Sequence, residues 1–358
     1  MRFTTFVCIV LLLLFCCRLF PMEMGVISSP AANMKEGPTV RLQKVRAIGT
    51  DLGNDEFLFR PTSITMDRYH NLYIYDNLQA RIFKLDKEFN LLKAFGRKGG
   101  GPGEIGGTGG RHMVAIKMGR DDNLYVNDIR QSKVIVFNQQ GEYLRDFKYK
   151  TGRIVTPSAD AGGNVYMTAI KGPKLEIQNE KQVKMLSLPC ARGNFDYLFY
   201  RPGPLYREWE RRNPSAAILM ALTGDSGLLI YYQNSSALTV VKEQRVMHRV
   251  KIWPQEALTV YKAELRDILK QDKEMFRKIF FKLFVDDDQE GIFYLQLGRN
   301  KKRHINALYR FNLKGELLEV LYVRLKPPHA FTRFELKQNG LFYALEDQKI
   351  TIYKEEVQ

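Results

Sequence analysis

The chain has 358 residues, of which 45% are hydrophobic and 26% are charged, a composition typical of a folded globular protein and not of a disordered one. Lysine and arginine total 55 against 39 acidic residues, and the net charge of +16 favours anionic ligands or surfaces. Because blocks of like charge and RNA-binding signatures are absent from the sequence, we expect no nucleic-acid partner.

Residues 1–23 predict a signal peptide or an N-terminal membrane anchor. Arg2 precedes an unbroken apolar run over residues 6–17, which has the length of a signal-peptide core and is short for a membrane span of about 20 residues. The protein is therefore predicted to be exported, to the periplasm or the cell envelope. Residues 24–38 are mostly small and polar and are predicted to be a tether.

Cys17 ends the apolar run at the place where bacterial lipoproteins, which this segment resembles, carry their lipidated cysteine. The lipoprotein motif has a small residue before that cysteine, whereas here Cys16 precedes Cys17. Lipidation of Cys17, simple cleavage and an uncleaved anchor are three open alternatives. Cys190 stands alone in the rest of the chain, which excludes an intrachain disulfide and a thiolate zinc cluster there.

After residue 60 the sequence repeats a pattern of four short strands separated by turn residues. In the two clearest copies the strands are residues 64–67, 71–76, 81–86 and 91–96, and residues 114–117, 123–128, 133–137 and 142–147. Weaker copies have their second strand after Asn164, Gly227, Gly291 and Gly340. These second strands are apolar nearly throughout, which is typical of strands that are covered on both faces.

Repeats at this spacing predict the blades of a β-propeller, in which stacking around a ring buries faces that one blade alone would expose. The last copy supplies three strands, and residues 40–48 alternate apolar and polar before the first copy. We predict that this N-terminal strand completes the last blade and closes the ring.

The predicted fold is therefore all-β, a six-bladed β-propeller of four-stranded antiparallel blades over residues 39–358. Residues 255–280 interrupt the repeats with apolar side chains at helical spacing. They predict one inserted amphipathic helix, which we expect to pack on the propeller rather than to form a partner-binding groove.

The run Asn71-Leu-Tyr-Ile-Tyr-Asp76, followed later by Gly96 and the glycine-rich residues 99–104, resembles the NHL repeat. The resemblance is close in two blades and loose in four. NHL-like propellers include exported bacterial proteins, scaffold and ligand-binding domains, and a few enzymes, among them a zinc-dependent amidating lyase. The resemblance implies a fold and constrains the activity weakly.

Several sequence motifs resemble catalytic or cofactor-binding sites but lack the neighbouring residues or elements that such sites need. Gly101, Gly103 and Gly106 have the spacing of a dinucleotide fingerprint, but a strand pattern follows them instead of a helix, which predicts a loop between blades. Only His112 and His329 of the five histidines lie near the start of an innermost strand, too few for a catalytic zinc site. A nucleophile elbow is absent. We therefore assign no catalytic residue, no metal and no cofactor.

Two acidic patterns are predicted to be structural. The three consecutive aspartates at 286–288 lack the spacing of a calcium-binding EF-hand loop and predict a solvated turn. Asp76 and Asp128 each close a second strand, and a base follows each five residues later, as Arg81 or Lys133. Because an active site seldom recurs in every repeat, we expect these acids and bases to brace turns.

Arg60, Arg111 and Arg153 recur at the start of the innermost strand of three consecutive predicted blades, with His112 beside the second. In a propeller these positions converge around the axis. We predict a cationic ring at the mouth of the axial channel, where bidentate arginine contacts bind an anionic small molecule or a protein partner. The alternative is that these arginines bind loop carbonyls or meet solvent.

Two functions of different classes fit these features. One is a monomeric binding or scaffold propeller of the cell envelope, and the other is a propeller hydrolase or lyase with its site at the same channel mouth. The first is favoured, because arginines bind charge but rarely accept protons.

Overall fold

The computed structural model describes residues 26–27, 39–106, 114–149, 157–168, 174–178, 183–187, 218–223, 227–232, 237–242, 245–251, 280–297, 305–324, 332–346 and 349–356. These residues form strands, turns and loops, and no helix occurs among them. In this part of the chain, accordingly, no helix is long and apolar enough to cross a membrane. The predicted helix at 255–280 lies outside the described residues except for Phe280, which begins a strand.

Two strands precede the repeated part of the chain, β1 (Val26–Ile27) and β2 (Thr39–Ile48). Antiparallel four-stranded sheets then follow one another. The first contains β3 (Pro61–Met66), β4 (Leu72–Asp76), β5 (Arg81–Leu85) and β6 (Leu91–Phe95). A short parallel pair, β7 (Arg97–Lys98) and β8 (Glu104–Ile105), occupies the glycine-rich loop. The second sheet contains β9 (Val114–Met118), β10 (Leu124–Asp128), β11 (Lys133–Phe137) and β12 (Tyr143–Lys148).

The later repeats form sheets of the same antiparallel order. The third contains β13 (Ser158–Ala159), β14 (Val165–Thr168), β15 (Lys174–Gln178) and β16 (Val183–Ser187). The fourth contains β17 (Ile218–Leu222), β18 (Leu228–Tyr232), β19 (Ala237–Lys242) and β20 (Arg245–Lys251). Next come β21 (Phe280–Val285), β22 (Ile292–Leu297), β23 (Ile305–Asn312) and β24 (Leu317–Arg324). The last three strands are β25 (Arg333–Gln338), β26 (Leu341–Glu346) and β27 (Lys349–Glu355).

The N-terminal strands lie along the outer strands of the last three repeats. β2 pairs antiparallel with β27, with Leu42 opposite Glu355 and Ile48 opposite Ile350. The first residues of β2 also pair in parallel with β24, which joins two repeats into one eight-stranded sheet. β1, inside the predicted tether, pairs in parallel with β20. The predicted pairing of the N-terminal strand with the last repeat is therefore confirmed.

The first strands of the repeats lie side by side around a common centre. β3 lies beside β9, β9 beside β13, β13 beside β17, β17 beside β21, β21 beside β25, and β25 again beside β3. Polar side chains join some of these neighbours: the Ile116 N–H donates to Ser63 Oγ over 3.1 Å and the Met118 N–H to Thr65 Oγ1 over 3.0 Å. This cyclic order brings residues from opposite repeats towards one axis.

The hydrophobic core lies between neighbouring sheets. Tyr73 and Ile82 of the first sheet, for example, pack in one cluster with Ile116 and Val126 of the second. All five residues of β4 and of β10 are buried, as predicted for strands that are covered on both faces. Each fully buried large apolar side chain contributes about 1.5–3 kcal/mol relative to exposure, so stacking of the sheets stabilises the ring.

Candidate functional site

Of the predicted site residues, the structure describes Arg60. Its side chain is exposed, and its main chain is fixed, because the Arg60 N–H donates to Asp76 Oδ2 over 2.7 Å and its carbonyl accepts from Asn77 N–H over 2.9 Å. Arg60 thus stands immediately before β3. The other predicted members of the site lie outside the described residues: Arg111, His112, Arg153 and the lipidation candidate Cys17.

A second group of charged residues, which the sequence analysis did not single out, lies on the first strands themselves. Lys117 is on β9, Lys282 is on β21, and Arg333 and Glu335 are on β25. Lys117 and Lys282 are single charged residues inside otherwise apolar strands, and that pattern was the available signal for these two. We call these four residues, with Arg120 and Asp287 immediately beyond β9 and β21, the channel cluster.

Three neighbouring first strands carry a β-bulge near their start. The register with the second strand shifts around Phe281 in β21, Glu335 in β25 and Thr62 in β3, whereas the described pairing of β9 with β10 is regular. A bulge adds one residue to a strand and re-aims the side chains next to it, and bulges are over-represented beside functional sites. The adjacent strands β21, β25 and β3 therefore depart from regular pleating, and we call them the bulged arc.

A chain of polar contacts joins these three bulged strands. The Lys282 ammonium donates to a Glu335 carboxylate oxygen, and Arg333 Nε lies 2.5 Å from the other carboxylate oxygen. The Arg333 guanidinium also donates to the carbonyl of Thr62. Glu335, with a side chain only 5% exposed, is thus a buried carboxylate held between two cations.

The channel cluster spans the centre of the ring. Arg120 follows β9 and Asp287 follows β21, and their side chains form an ion pair of 3.7 Å. These two strands are not neighbours in the ring; other first strands separate them in both directions. An ion pair between them therefore crosses the axis, so the centre is narrow enough for opposite side chains to meet.

Electrostatics inside the cluster act on Lys117 and Asp287 in opposite ways. Burial lowers the pKa of the Lys117 ammonium, and the nearby positive charges of Lys282 and Arg120 act in the same direction, against the attraction of Asp287 and Glu335. Burial raises the pKa of the Asp287 carboxyl, with Lys117 and Arg120 opposing the rise. The centre thus holds an amine and a carboxyl whose pKa values both move towards neutrality.

Glu335 differs from Asp287 because its cations are in direct contact. Burial alone would raise the pKa of Glu335, but the charges and hydrogen bonds of Arg333 and Lys282 outweigh burial and hold the pKa below its ordinary value. The Glu335 side chain is therefore ionised at neutral pH. Within the channel cluster it neutralises part of the positive charge. The cluster contains four cationic side chains and two carboxylates in all.

The predicted structural acids brace turns, as expected. Asp76 accepts main-chain N–H groups of Phe59, Leu78 and Gln79 over 2.6–3.1 Å, in addition to that of Arg60. Asp128 accepts the N–H of Gly106 over 2.5 Å and that of Gln131 over 3.1 Å. The bases pair elsewhere: Arg81 binds Glu56 over 2.7 Å, and Lys133 donates to the carbonyl of Gly101 over 3.0 Å.

The prediction of a solvated turn at 286–288 was wrong for Asp286. This carboxylate is 5% exposed, accepts the Tyr294 hydroxyl over 2.9 Å and binds Lys337 Nζ over 3.0 Å. Asp288 accepts the N–H of Asn339 over 2.6 Å. These aspartates join β21 to β25, because a charged group can be buried when it is fully paired.

An aspartate–tyrosine contact recurs in four repeats and was also missed from the sequence. Each tyrosine lies on a second strand and donates to an aspartate near the end of the first strand: Tyr73 to Asp67 (3.2 Å), Tyr125 to Asp121 (2.7 Å), Tyr166 to Asp160 (2.8 Å) and Tyr294 to Asp286 (2.9 Å). Burial, together with the aspartate, raises the pKa of each phenol. The contact is a repeated structural feature.

Among the described residues, no group of three or more histidine, cysteine, aspartate or glutamate side chains could hold a metal ion. The charged centre in this part of the chain is instead mainly cationic. Ammonium and guanidinium groups bind carboxylates and phosphates, so the cluster is suited to an anion.

No protein-family model and no curated protein matches the sequence. Among solved structures, a DUF4221-family protein from Bacteroides vulgatus has a TM-score of 0.56 at 9% identity, over 90% of this chain and 99% of that chain. A catalytically inactive virginiamycin B lyase from Staphylococcus aureus, crystallised with quinupristin, has a TM-score of 0.51 at 10% identity, over 87% of this chain and 98% of that chain. These similarities show the fold alone, and the fold is a β-propeller.

Proposed function

We propose that this protein is an exported, monomeric six-bladed β-propeller that binds a small anion in its axial channel. One observation carries the proposal: the channel cluster brings four cations and two carboxylates from opposite repeats to one centre. Partly buried charges of one sign in excess favour a ligand of the opposite sign.

The finer description of the fold is part of this proposal. The cyclic order of β3, β9, β13, β17, β21 and β25 supports six blades, of which β2 completes the last. The sequence of the first two blades supports an NHL-like repeat. In that arrangement Arg60, Arg111, His112 and Arg153 surround the channel mouth and attract the anion before it reaches Lys117.

Export is proposed from residues 1–23 alone. Arg2 and the apolar run over residues 6–17 support a signal peptide or an anchor, and Cys17 is the candidate for lipidation. Either would deliver the propeller to the periplasm or the cell envelope. Comparing fatty-acid labelling of Cys17→Ala and Cys16→Ala with the wild type tests the lipid anchor.

The anion site is tested by isothermal titration calorimetry with lactate and with inorganic phosphate. We expect at least one of them to bind, and Lys117→Met to weaken its binding about tenfold or more, which corresponds to about 1.4 kcal/mol. The matched control is Lys314→Met, because Lys314 is exposed on the β23–β24 turn. If neither anion binds, or if both variants bind as the wild type does, the channel is not an anion site.

A further inference from the structure

The Arg120–Asp287 ion pair lies at one end of the axial channel, because the first strands run in the same direction. Contacts between neighbouring first strands join residues in the same order along both strands: Ser63 and Thr65 with Ile116 and Met118, Thr62 and Asp67 with Arg333 and Gln338, and Lys282 and Asp286 with Glu335 and Lys337. The bulged arc and β9 are therefore parallel. Arg60 precedes β3 at one face of the ring, whereas Arg120 and Asp287 follow β9 and β21 at the opposite face.

The main chains of Arg120 and Asp287 are each held by a neighbouring first strand. The Arg120 N–H donates to the carbonyl of Ala159 on β13 over 3.0 Å, and the Asp287 N–H donates to the carbonyl of Lys337 on β25 over 3.3 Å. Two other first strands separate β9 from β21 in either direction around the ring. The two anchored residues therefore lie on opposite sides of the axis, and their side chains meet across it at 3.7 Å.

An ion pair in this position obstructs the channel at the face where the first strands end. The guanidinium and the carboxylate lie in the path of a ligand that moves along the axis, and Asp287 repels an anion that approaches from this face. The two side chains are 38% and 28% exposed, so the pair lies between the channel and solvent. Arg60, by contrast, is exposed at the face where the first strands start.

We propose that the Arg120–Asp287 pair is the floor of the anion site and closes the channel at this end, so that the ligand enters and leaves past Arg60. This inference rests on the proposed function and adds the chemical class of the ligand. In a channel that is closed at one end, the charged group enters first and the rest of the ligand points back to the open face. The site should therefore bind anions with a terminal charge, such as phosphate monoesters, and exclude phosphodiesters, which have a chain on both sides of the charge.

The test is isothermal titration calorimetry of the full chain with butyl phosphate and with dibutyl phosphate. The readout is the ratio of the two Kd values, because a general change in electrostatic potential affects both esters. We expect the wild type to prefer butyl phosphate about tenfold or more, since the second butyl chain clashes with the floor. In Arg120→Ala with Asp287→Ala, which leaves the net charge unchanged, the preference should fall to about threefold or less.

Arg68→Ala with Asp122→Ala is the matched control. Arg68 and Asp122 form an ion pair at the same face, but they follow the adjacent strands β3 and β9 and do not cross the axis. This control also removes one charge of each sign and should keep the wild-type preference. Because partly exposed ion pairs contribute little to stability, both double variants should keep the wild-type circular dichroism spectrum. If the alanine variant of the floor does not fold, Arg120→Ser with Asp287→Ser should show the same fall in preference.

The outcomes separate the two proposals. If butyl phosphate binds but its preference over dibutyl phosphate is unchanged without the floor, or falls equally in the control, the pair does not close the channel and the anion site stands. If lactate or inorganic phosphate binds but neither ester does, the assigned ligand class is wrong. Lys117→Met should weaken butyl phosphate, and unchanged binding would place the ester outside the channel. If none of these anions binds, both proposals fail.

Discussion

At the scale of single residues, the ion pairs of Glu335 make the free energy of unfolding depend on pH. Its carboxylate is buried, and Arg333 and Lys282 hold its pKa below the ordinary value against the effect of burial. When the folded-state pKa is the lower one, the stabilisation is present above the unfolded-state pKa and is lost as the pH falls through the folded-state pKa.

We therefore expect Glu335→Gln to lower the free energy of unfolding by about 1.5–3 kcal/mol at neutral pH. The difference from the wild type should shrink as the pH falls below about 4. Urea unfolding across this pH range measures it. Glu88→Gln is the control, because the Glu88 side chain is 60% exposed. A difference that stays constant with pH would show that the ion pairs of Glu335 do not stabilise the fold.

The residues of the channel cluster could not be predicted from strand alternation alone. In a regular strand every second residue faces the same side, but the bulges at Thr62, Phe281 and Glu335 shift that order by one residue. The cations were predicted at the strand starts, where Arg60 is, and not at Lys282 in the bulged β21 or at Lys117 in the regular β9. A single charged residue in each of the apolar strands β9 and β21 is visible in the sequence. Which of these residues lie together depends on the order of the strands around the ring.

At the scale of elements, strands were predicted closely where alternation and turn residues agree. The predicted strand 40–48 is observed as Thr39–Ile48, and the predicted strand 71–76 as Leu72–Asp76. The pairing of β2 with β27 followed from counting strands, because the last repeat lacked one. The pairing of β1 with β20 had no comparable signal: Val26 and Ile27 are too short a run to show alternation.

A disulfide across β2 and β27 tests this pairing. Gln43 lies opposite Lys354 and both are exposed, so Gln43→Cys with Lys354→Cys leaves the core intact. Because the bond closes a very long loop, we expect the oxidised variant to be more stable than its reduced form by about 2–4 kcal/mol or more. Guanidinium unfolding with and without reductant measures the gain, with Gln43→Cys alone as control. Failure of the pair to oxidise would contradict the register.

At the scale of the whole molecule, the sequence repeat predicted the architecture. Which side chains lie in contact at the centre depends on the order of the first strands around the ring. Arg120 and Asp287 belong to repeats that are far apart in the sequence, and only the ring brings them within 3.7 Å. No sequence pattern links such a pair, because nothing local requires it. The overall fold was therefore predictable from the sequence repeats, whereas the contacts within the channel cluster were not.

A circular permutant tests whether β2 acts only as the outer strand of the last repeat. The Glu356 N–H donates to the Arg41 carbonyl over 2.9 Å, so a short turn can connect β27 directly to β2. A chain that begins at residue 49 and carries residues 39–48 after β27 should fold with the same circular dichroism spectrum and one cooperative unfolding transition. The same chain without the appended strand is the control and should be less stable. Equal stability of the two would show that β2 is dispensable.

The contact between β2 and β27 also makes assembly depend on the order of synthesis. β2 leaves the ribosome before every repeat that it helps to enclose, and its partner β27 leaves after all of them. At about 5–20 residues per second, β2 waits for roughly tens of seconds, with an unpaired edge that could join strands of other chains. A chain that stops before Lys349 lacks β27 altogether, so a prematurely ended product cannot complete its last sheet and is left open to proteases.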